Sequence, residues 1–411
     1  MAVHVSSEIG RLNEVLIHPP GAELLAVTPS TRADYLYDDI IDLTRAQKEH
    51  RRFVAVLERF ATVLHVRDLL AEVLADDNTR ARFLKDTLDI IPSEPLAREL
   101  QEMTSFDLVK TMIEGKEESP GQLTRTLNEC GYTLPPLPNL FFTRDVAMGL
   151  NDHMMIGSMR YGVRWTEELI MKAIFSFSPR VANKGILYDG SREHRMNYTL
   201  EGGDVHTLRR DLVMIGFSER SSPAAIDNLV QVLFEKTEVR DVIIVIMPGE
   251  ESAIHLDMIF TQVDRGLCVV HPPHFMGAER LPILHWRKSS SSMREMPGVF
   301  HALEACGMKM EPMMCGGERR IVQEREQWSS GCNFVAVKPG VVLSYARNDA
   351  TLREMEKSGF RIISASSFLE DDSLIAEGDR AVITLDGSEL VRGGGGPRCM
   401  TCPISRDDPW T

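Results

Sequence analysis

The chain has 411 residues, more than one hydrophobic core usually serves, so its length predicts two domains or one large domain carrying an insertion. Apolar residues make up 43% and charged residues 26%, the proportions of a globular protein, and no window approaches the roughly 18 uninterrupted apolar residues of a membrane span. With 46 Lys and Arg against 60 Asp and Glu, the net charge of −14 is not offset by any basic stripe, which argues against nucleic acid and membrane surfaces as partners.

The opening MAVHVSSEIGRLNEV lacks a basic-then-apolar secretory pattern, so a cytoplasmic protein is expected. Seven cysteines, at 130, 268, 306, 315, 332, 399 and 402, form no disulfide framework for such a compartment. After a first strand-bearing unit, residues 67–128 show helical periodicity broken at Pro92 and Pro95, with almost no strand signal. This predicts a helical insertion at 67–128 in a body formed by 1–66 and 129–411. Four hairpins then follow, with turns at Asn151-Asp152, near Arg210-Asp211, at Asp264-Arg265-Gly266 and at Lys338-Pro339-Gly340.

Helices follow several of these hairpins. TEELIMKAIFSF places Leu169, Ile170, Ala173, Ile174 and Phe177 on one face behind a cap at Thr166. Ser222 precedes Pro223, the favoured first helical residue, ahead of an apolar stripe of Ile226, Leu229, Val230, Leu233 and Phe234. DATLREMEKSG ends on Gly359, a fitting C-cap. Runs such as VIIVIMP (242–248) and RIISAS (361–366) supply further strands. The repeating unit reads as ββαβ.

Polar signatures stand where the hairpins begin: Asp145, then Glu201 with Asp204, then His255 with Asp257, and last the loop VRGGGGPRCMTCPI around Cys399. If the units ring a common axis, these mouths converge. A planar guanidinium can be gripped on its edges by two carboxylates through charge-assisted hydrogen bonds, which leaves its carbon open to a thiolate. A histidine can then protonate departing ammonia and afterwards activate water.

Taken singly, each signature has a structural reading. Glu-Gly-Gly-Asp is a common turn, His255-Leu-Asp257 alternates as a strand would, and Asp145 can pair with Arg144. Cys399-Met-Thr-Cys402 competes as a redox or metal motif, but no second ligand pair stands at a matching spacing. The four glycines could cradle phosphate, yet no Gly-Lys-Ser/Thr follows them. Specificity comes from the set.

In their order along the chain, RLNEVLIHPP, PNLFFTRD, MRYGVRWTEE, EGGDV, GFSERSS, HLDMIF, GVVLSYARN and RCMTCPISRDD resemble the bacterial arginine deiminases of the guanidine-modifying, or pentein, superfamily. The resemblance implies an α/β fold, a five-bladed pseudo-symmetric propeller of ββαβ units with a helical insert. It further implies hydrolysis of L-arginine to L-citrulline and ammonia, with no cofactor and no metal, and a homo-oligomer is expected. Carried over by position, Cys399 would be the nucleophile and His255 the general acid and base, while Asp145 and Asp257 would clamp the guanidinium. Glu201 would support the histidine and a substrate nitrogen. Asn139, Phe142, Arg164, Asp204, Arg220 and Gly394 would bind substrate, with Arg164 and Arg220 on its α-carboxylate. Many relatives have arginine where this chain has Gly394, and Arg392 and Arg398 flank that position as candidate replacements. Another guanidine substrate such as agmatine, amidino transfer, and a non-catalytic scaffold remain the alternatives. The scaffold predicts a broken Cys, His and carboxylate set.

Overall fold

The computed structural model describes residues 2–118, 121–127, 131–192 and 198–410. Residues 128 and 129, where the expected insertion ends, and Cys130 lie outside them. Each expected hairpin forms. Ala147–Leu150 pairs antiparallel with His153–Ile156, and Asn151 in the turn takes φ of 51°, a left-handed conformation that asparagine tolerates. Val205–Arg209 pairs with Leu212–Phe217, Phe260–Asp264 with Leu267–Val270, and Val335–Lys338 with Val341–Tyr345.

The second strand of each hairpin gains a parallel partner delivered by a helix, which is the connection that parallel pairing requires. His153–Ile156 receives Ile186–Asp189 after helix Trp165–Phe177, and Leu212–Phe217 receives Asp241–Ile246 after helix Pro223–Lys236. Leu267–Val270 receives Glu311–Met314 after helix Val299–Ala305, and Val341–Tyr345 receives Ala381–Leu385 after helix Asp349–Lys357. A fifth unit is assembled from both ends of the chain. Leu12–Ile17 pairs antiparallel with Cys402–Arg406 and parallel with Thr62–His65, which follows helix Leu43–Leu57. Ile283–Arg287 and Arg294–Met296 widen the Leu212–Phe217 sheet to five strands. The fold is mixed α/β, and every sheet among the described residues is open.

Burial follows the expected stripes. Ile226, Leu229, Val230, Leu233 and Phe234 share one core with Val213, Ile215, Val242 and Ile244. Truncating such a leucine to alanine typically costs about 2–5 kcal/mol. Two details of helix Trp165–Phe177 differ from expectation. It starts before Thr166, with Arg164 at the cap position, because a 3-10 turn at Gly162–Arg164 already winds the chain. Phe177 is 42% exposed, since it lies at the helix end beyond the buried stripe.

Helices Val66–Val73, Asp77–Ile90, Glu94–Glu102, Ser105–Glu114 and Gln122–Leu127 occupy the stretch read as helical, with Pro95 in the first turn of the third. A short strand pair, Lys116–Glu117 with Tyr132–Leu134, was not evident from the pattern. Leu69, Leu70, Phe83, Leu100 and Met112 pack in one cluster with Leu169, Ile170 and Ile174. Among the described residues no helix is long and apolar enough to cross a membrane.

Candidate active site

In every unit, a turn just ahead of the first hairpin strand carries a polar residue of one site. Asp145 sits in the short helix Thr143–Val146, Glu201 precedes the 3-10 turn Gly202–Asp204, and His255 precedes Leu256–Met258, which contains Asp257. The His255-Leu-Asp257 segment is therefore a 3-10 turn and not the strand its alternation suggested. Asn333 and Cys399 occupy the equivalent places before Val335–Lys338 and Cys402–Arg406. The turn at 202–204 requires its glycines: a Cβ on Gly203 would lie 2.5 Å from the His255 ring, and one on Gly202 would lie 2.0 Å from the Arg144 carbonyl oxygen.

The Cys399 sulfur lies 3.6 Å from Asp257 Oδ2 and accepts a hydrogen bond from Asn333 Nδ2 at 3.1 Å. Asn333 Oδ1 in turn accepts from the backbone N–H of Arg398, at 2.9 Å, and of Cys399. One side chain thus fixes both the sulfur and the backbone that carries it. The sequence reading missed Asn333, although its place at a hairpin mouth was the available signal. Burial pushes the Cys399 thiol well above its usual range, and the nearby Asp257 and Asp145 carboxylates add to that effect.

His255 Nε2 lies 2.8 Å from Glu201 Oε2, and its Nδ1 lies 3.8 Å from Asp145 Oδ1. Burial alone would favour the neutral ring, but Asp145, the bond to Glu201 and Asp204 outweigh it and raise His255 to about 9. Burial would likewise raise Glu201, but Arg220 and the bonded His255 hold it down at about 2. The pair is therefore imidazolium and carboxylate at neutral pH.

Asp145 and Asp257 share one arrangement. Asp145 Oδ2 accepts from Arg164 Nη1 at 2.8 Å, and Asp257 Oδ2 accepts from Arg398 Nη1 at 2.8 Å. In each carboxylate the other oxygen, Oδ1, is buried without a hydrogen-bond partner. Arg398 is held from behind by Glu8, through two bonds of 3.1 Å, and by the Val205 carbonyl at 3.0 Å. Glu8 was not read from the sequence. It lies 390 residues from Arg398, and no motif marks it.

A cavity of about 30 Å³ lies among Leu36, Asn139, Phe142, Asp145, Arg164, Arg220, Ile254, His255, Met258, Gly393, Gly394, Gly395 and Cys399. That is far below the roughly 300 Å³ at which ligand pockets begin. Of the expected substrate contacts, Asn139, Phe142, Arg164, Arg220 and Gly394 line it. Asp204 does not: its Oδ2 accepts from Ser218 and Ser221 at 2.6 Å each and its Oδ1 from the Leu256 N–H at 2.9 Å, so it clasps two loops together. Neither flanking arginine fills the place left open at Gly394. Arg398 is turned toward Glu8 and Asp257, while Arg392 pairs with Asp39 at 2.7 Å. The glycine run serves packing and turning: Gly394 takes φ of 83°, and a Cβ on Gly396 would meet the Asn333 side chain at 2.6 Å.

Arg220 has capacity to spare. Its Nη1 reaches Glu201 at 3.4 Å and its guanidinium carbon stands 4.9 Å from the centre of the Tyr161 ring, while its Nε is buried without a partner. Arg164, by contrast, donates to Glu167, Asp145 and the Asn139 carbonyl with all three of its nitrogens.

Solved structures with similar folds include the N-terminal domain of ArgZ covalently bound to a reaction intermediate (TM-score 0.52, 14% identity, 96% of this chain and 98% of that one). The amidinotransferase SxtG from Microseira wollei gives a TM-score of 0.54 at 12% identity, covering 98% and 97%. A cysteine-to-serine mutant of DDAH from Pseudomonas aeruginosa, complexed with citrulline, gives 0.51 at 14%, covering 95% and 99%. In sequence, the chain is 32% identical to an arginine deiminase of Listeria monocytogenes serotype 4a, across 99% of this chain and 98% of that protein. It is 31% identical to the arginine deiminase of Pediococcus pentosaceus, across 99% of each. The arginine deiminase family model matches residues 33–406, so that the match takes in every residue of the site except Glu8, and the chain belongs to the arginine deiminase family.

Proposed function

We propose that the protein hydrolyses L-arginine to L-citrulline and ammonia through a covalent thiouronium on Cys399. The observation that carries this reading is the pair of carboxylates, Asp145 and Asp257, each anchored by a buried arginine at one oxygen and each left with a second buried oxygen that accepts no hydrogen bond, beside a thiol and an imidazolium. Two such acceptors match the edges of a guanidinium.

The arriving cation offsets the two carboxylates that help hold the thiol protonated, and the thiol proton leaves to solvent. The sulfur then attacks the guanidinium carbon. His255, charged at neutral pH, gives its proton to the departing nitrogen, and ammonia is released from the S-linked intermediate. The neutral imidazole next takes a proton from water as its oxygen attacks the same carbon. The C–S bond breaks and leaves citrulline. Glu201 keeps the imidazole oriented and charged, and Asn333 holds the sulfur.

The substrate's α-carboxylate pairs with Arg220, whose Nε is unoccupied, and with Arg164 once that residue turns from Asp145. Because the cavity is small, the loop at Gly393–Gly395 moves aside to admit arginine. In this reading the five hairpin mouths ring one axis as a five-bladed propeller, with 67–128 as a helical insertion in a catalytic body of 1–66 and 129–411. The test is a mass spectrum of protein quenched during turnover. An arginine-derived adduct should appear on the peptide containing Cys399 and be absent from Cys399→Ser, and its absence under single-turnover conditions removes the covalent route.

A further inference from the structure

A second cluster of ligand-type side chains lies away from this site. Asp241 opens the strand Asp241–Ile246, His285 lies on the antiparallel neighbour Ile283–Arg287, and Cys306 stands at the C-terminal end of helix Val299–Ala305. All three are buried, and one ligand atom from each lies within 4.8 Å of the others. His285 Nε2 is 2.7 Å from Asp241 Oδ1 and 3.5 Å from Cys306 Sγ. Both contacts fall on the same ring nitrogen. An acid–base relay uses the two imidazole nitrogens for its two partners, so this is not a nucleophile triad. One nitrogen, one sulfur and one oxygen converging on a point is the pattern of a ligand set.

We propose that Asp241, His285 and Cys306 form a site for a borderline-soft divalent cation, zinc being the fitting one, that fastens helix Val299–Ala305 to the five-stranded sheet. Tetrahedral zinc, with bonds of about 2.0–2.1 Å to nitrogen and 2.3 Å to sulfur, sets those two atoms roughly 3.5 Å apart, the separation already present. The oxygen and nitrogen must part to about 3.3 Å on entry, a small rotation of the carboxylate.

Charge selects the metal. Arg287 Nε donates to Asp241 Oδ1 at 2.8 Å, and Arg209 Nη2 donates to the Cys306 carbonyl at 2.9 Å. Beside two guanidinium groups, a single carboxylate is too little to hold magnesium or calcium, so the ion must be one that gains from thiolate. Arg287 then orients the ligating carboxylate from outside. The Cys306 sulfur binds the ion as thiolate, so a cation must displace the thiol proton. Binding releases that proton to solvent and moves the imidazole proton to Nδ1. A water completes the tetrahedron.

The test uses the whole protein, first stripped with chelator, then titrated with cobalt(II) and with zinc. One equivalent should bind, cobalt should show a thiolate-to-metal charge-transfer band, and zinc should raise the melting temperature. Cys306→Ser should lose the band and the thermal gain while keeping wild-type circular dichroism and arginine turnover, whereas Cys399→Ser should keep the band and the thermal gain. A band lost in Cys399→Ser and retained in Cys306→Ser places the metal at the other cluster and overturns the proposal. So does the absence of stoichiometric binding. If Cys306→Ser does not fold, Asp241→Asn serves in its place, with loss of the zinc-dependent melting shift as the readout.

Discussion

Arg164 and Asp145, expected to grip opposite ends of the same substrate, grip each other, with Nη1 to Oδ2 at 2.8 Å. The ion pair occupies both groups while the site holds no substrate, and it must loosen if Arg164 is to reach an α-carboxylate. Arg164→Ala leaves the buried Asp145 and Glu167 carboxyls without their shared guanidinium partner. It should lower stability by about 3–5 kcal/mol, measured by urea denaturation, in addition to lowering kcat/KM.

Arg220→Ala tests carboxylate recognition through the ratio of two substrates, since its contact with Glu201 affects both alike. Removing one partner of a buried charge pair typically costs about 2–5 kcal/mol, or roughly two to three orders of magnitude in kcat/KM for arginine. Agmatine, which has no carboxylate, should be affected far less. Equal losses for both substrates would show that Arg220 does not read the carboxylate.

On the proposed mechanism, His255 should set the alkaline limit. Its folded value of about 9 stands above the unfolded reference of about 6.5, so the stability it contributes is fully present below about pH 6.5 and is lost as pH rises through 9. Activity that needs the imidazolium should fall along the same limb. Glu201→Gln removes one source of the shift and should move the alkaline limb of the pH–kcat profile to lower pH. An unmoved limb would assign it to another group.

Asn333→Ala should reduce kcat by about 10²-fold with little change in KM for arginine, since it frees the sulfur and its backbone without touching the expected substrate contacts. Steady-state kinetics alongside retained circular dichroism would check this, with a lowered melting temperature expected from the buried N–H groups of Arg398 and Cys399 left without their acceptor.

Cys402→Ser should be mild. Its Sγ donates to the Ala147 carbonyl at 3.3 Å in a buried setting, and a serine hydroxyl can make the same bond. Damage comparable to that of Cys399→Ser in an arginine turnover assay would point back to a role for the two cysteines together.

The hairpins were legible because Asn151-Asp152, Arg265-Gly266 and Pro339-Gly340 are strong turn signals between apolar runs. So was the stripe from Ile226 to Phe234, whose spacing alone names the buried face. Asn333 and Glu8 were not. Each acts through partners more than 60 residues away, and an isolated Asn or Glu has no local pattern. Asp204, expected to bind substrate, has its oxygens engaged by Ser218, Ser221 and the Leu256 N–H. Sequence shows that a carboxylate stands near the site, but which hydroxyls saturate it depends on how Ser218 and Ser221 fold back.

The unit made of Leu12–Ile17 and Cys402–Arg406 orders events during synthesis. The first of these strands leaves the ribosome almost a whole chain ahead of its partner, and joining them closes a loop of nearly 390 residues, the kind of long-range contact that forms late. Cys399 lies three residues before the late strand and takes its place only when that edge docks. A nascent chain can thus complete the other five described sheets before Cys399, the proposed nucleophile, is in place. On the proposed mechanism, recovery of turnover after dilution from denaturant should therefore trail recovery of helical signal.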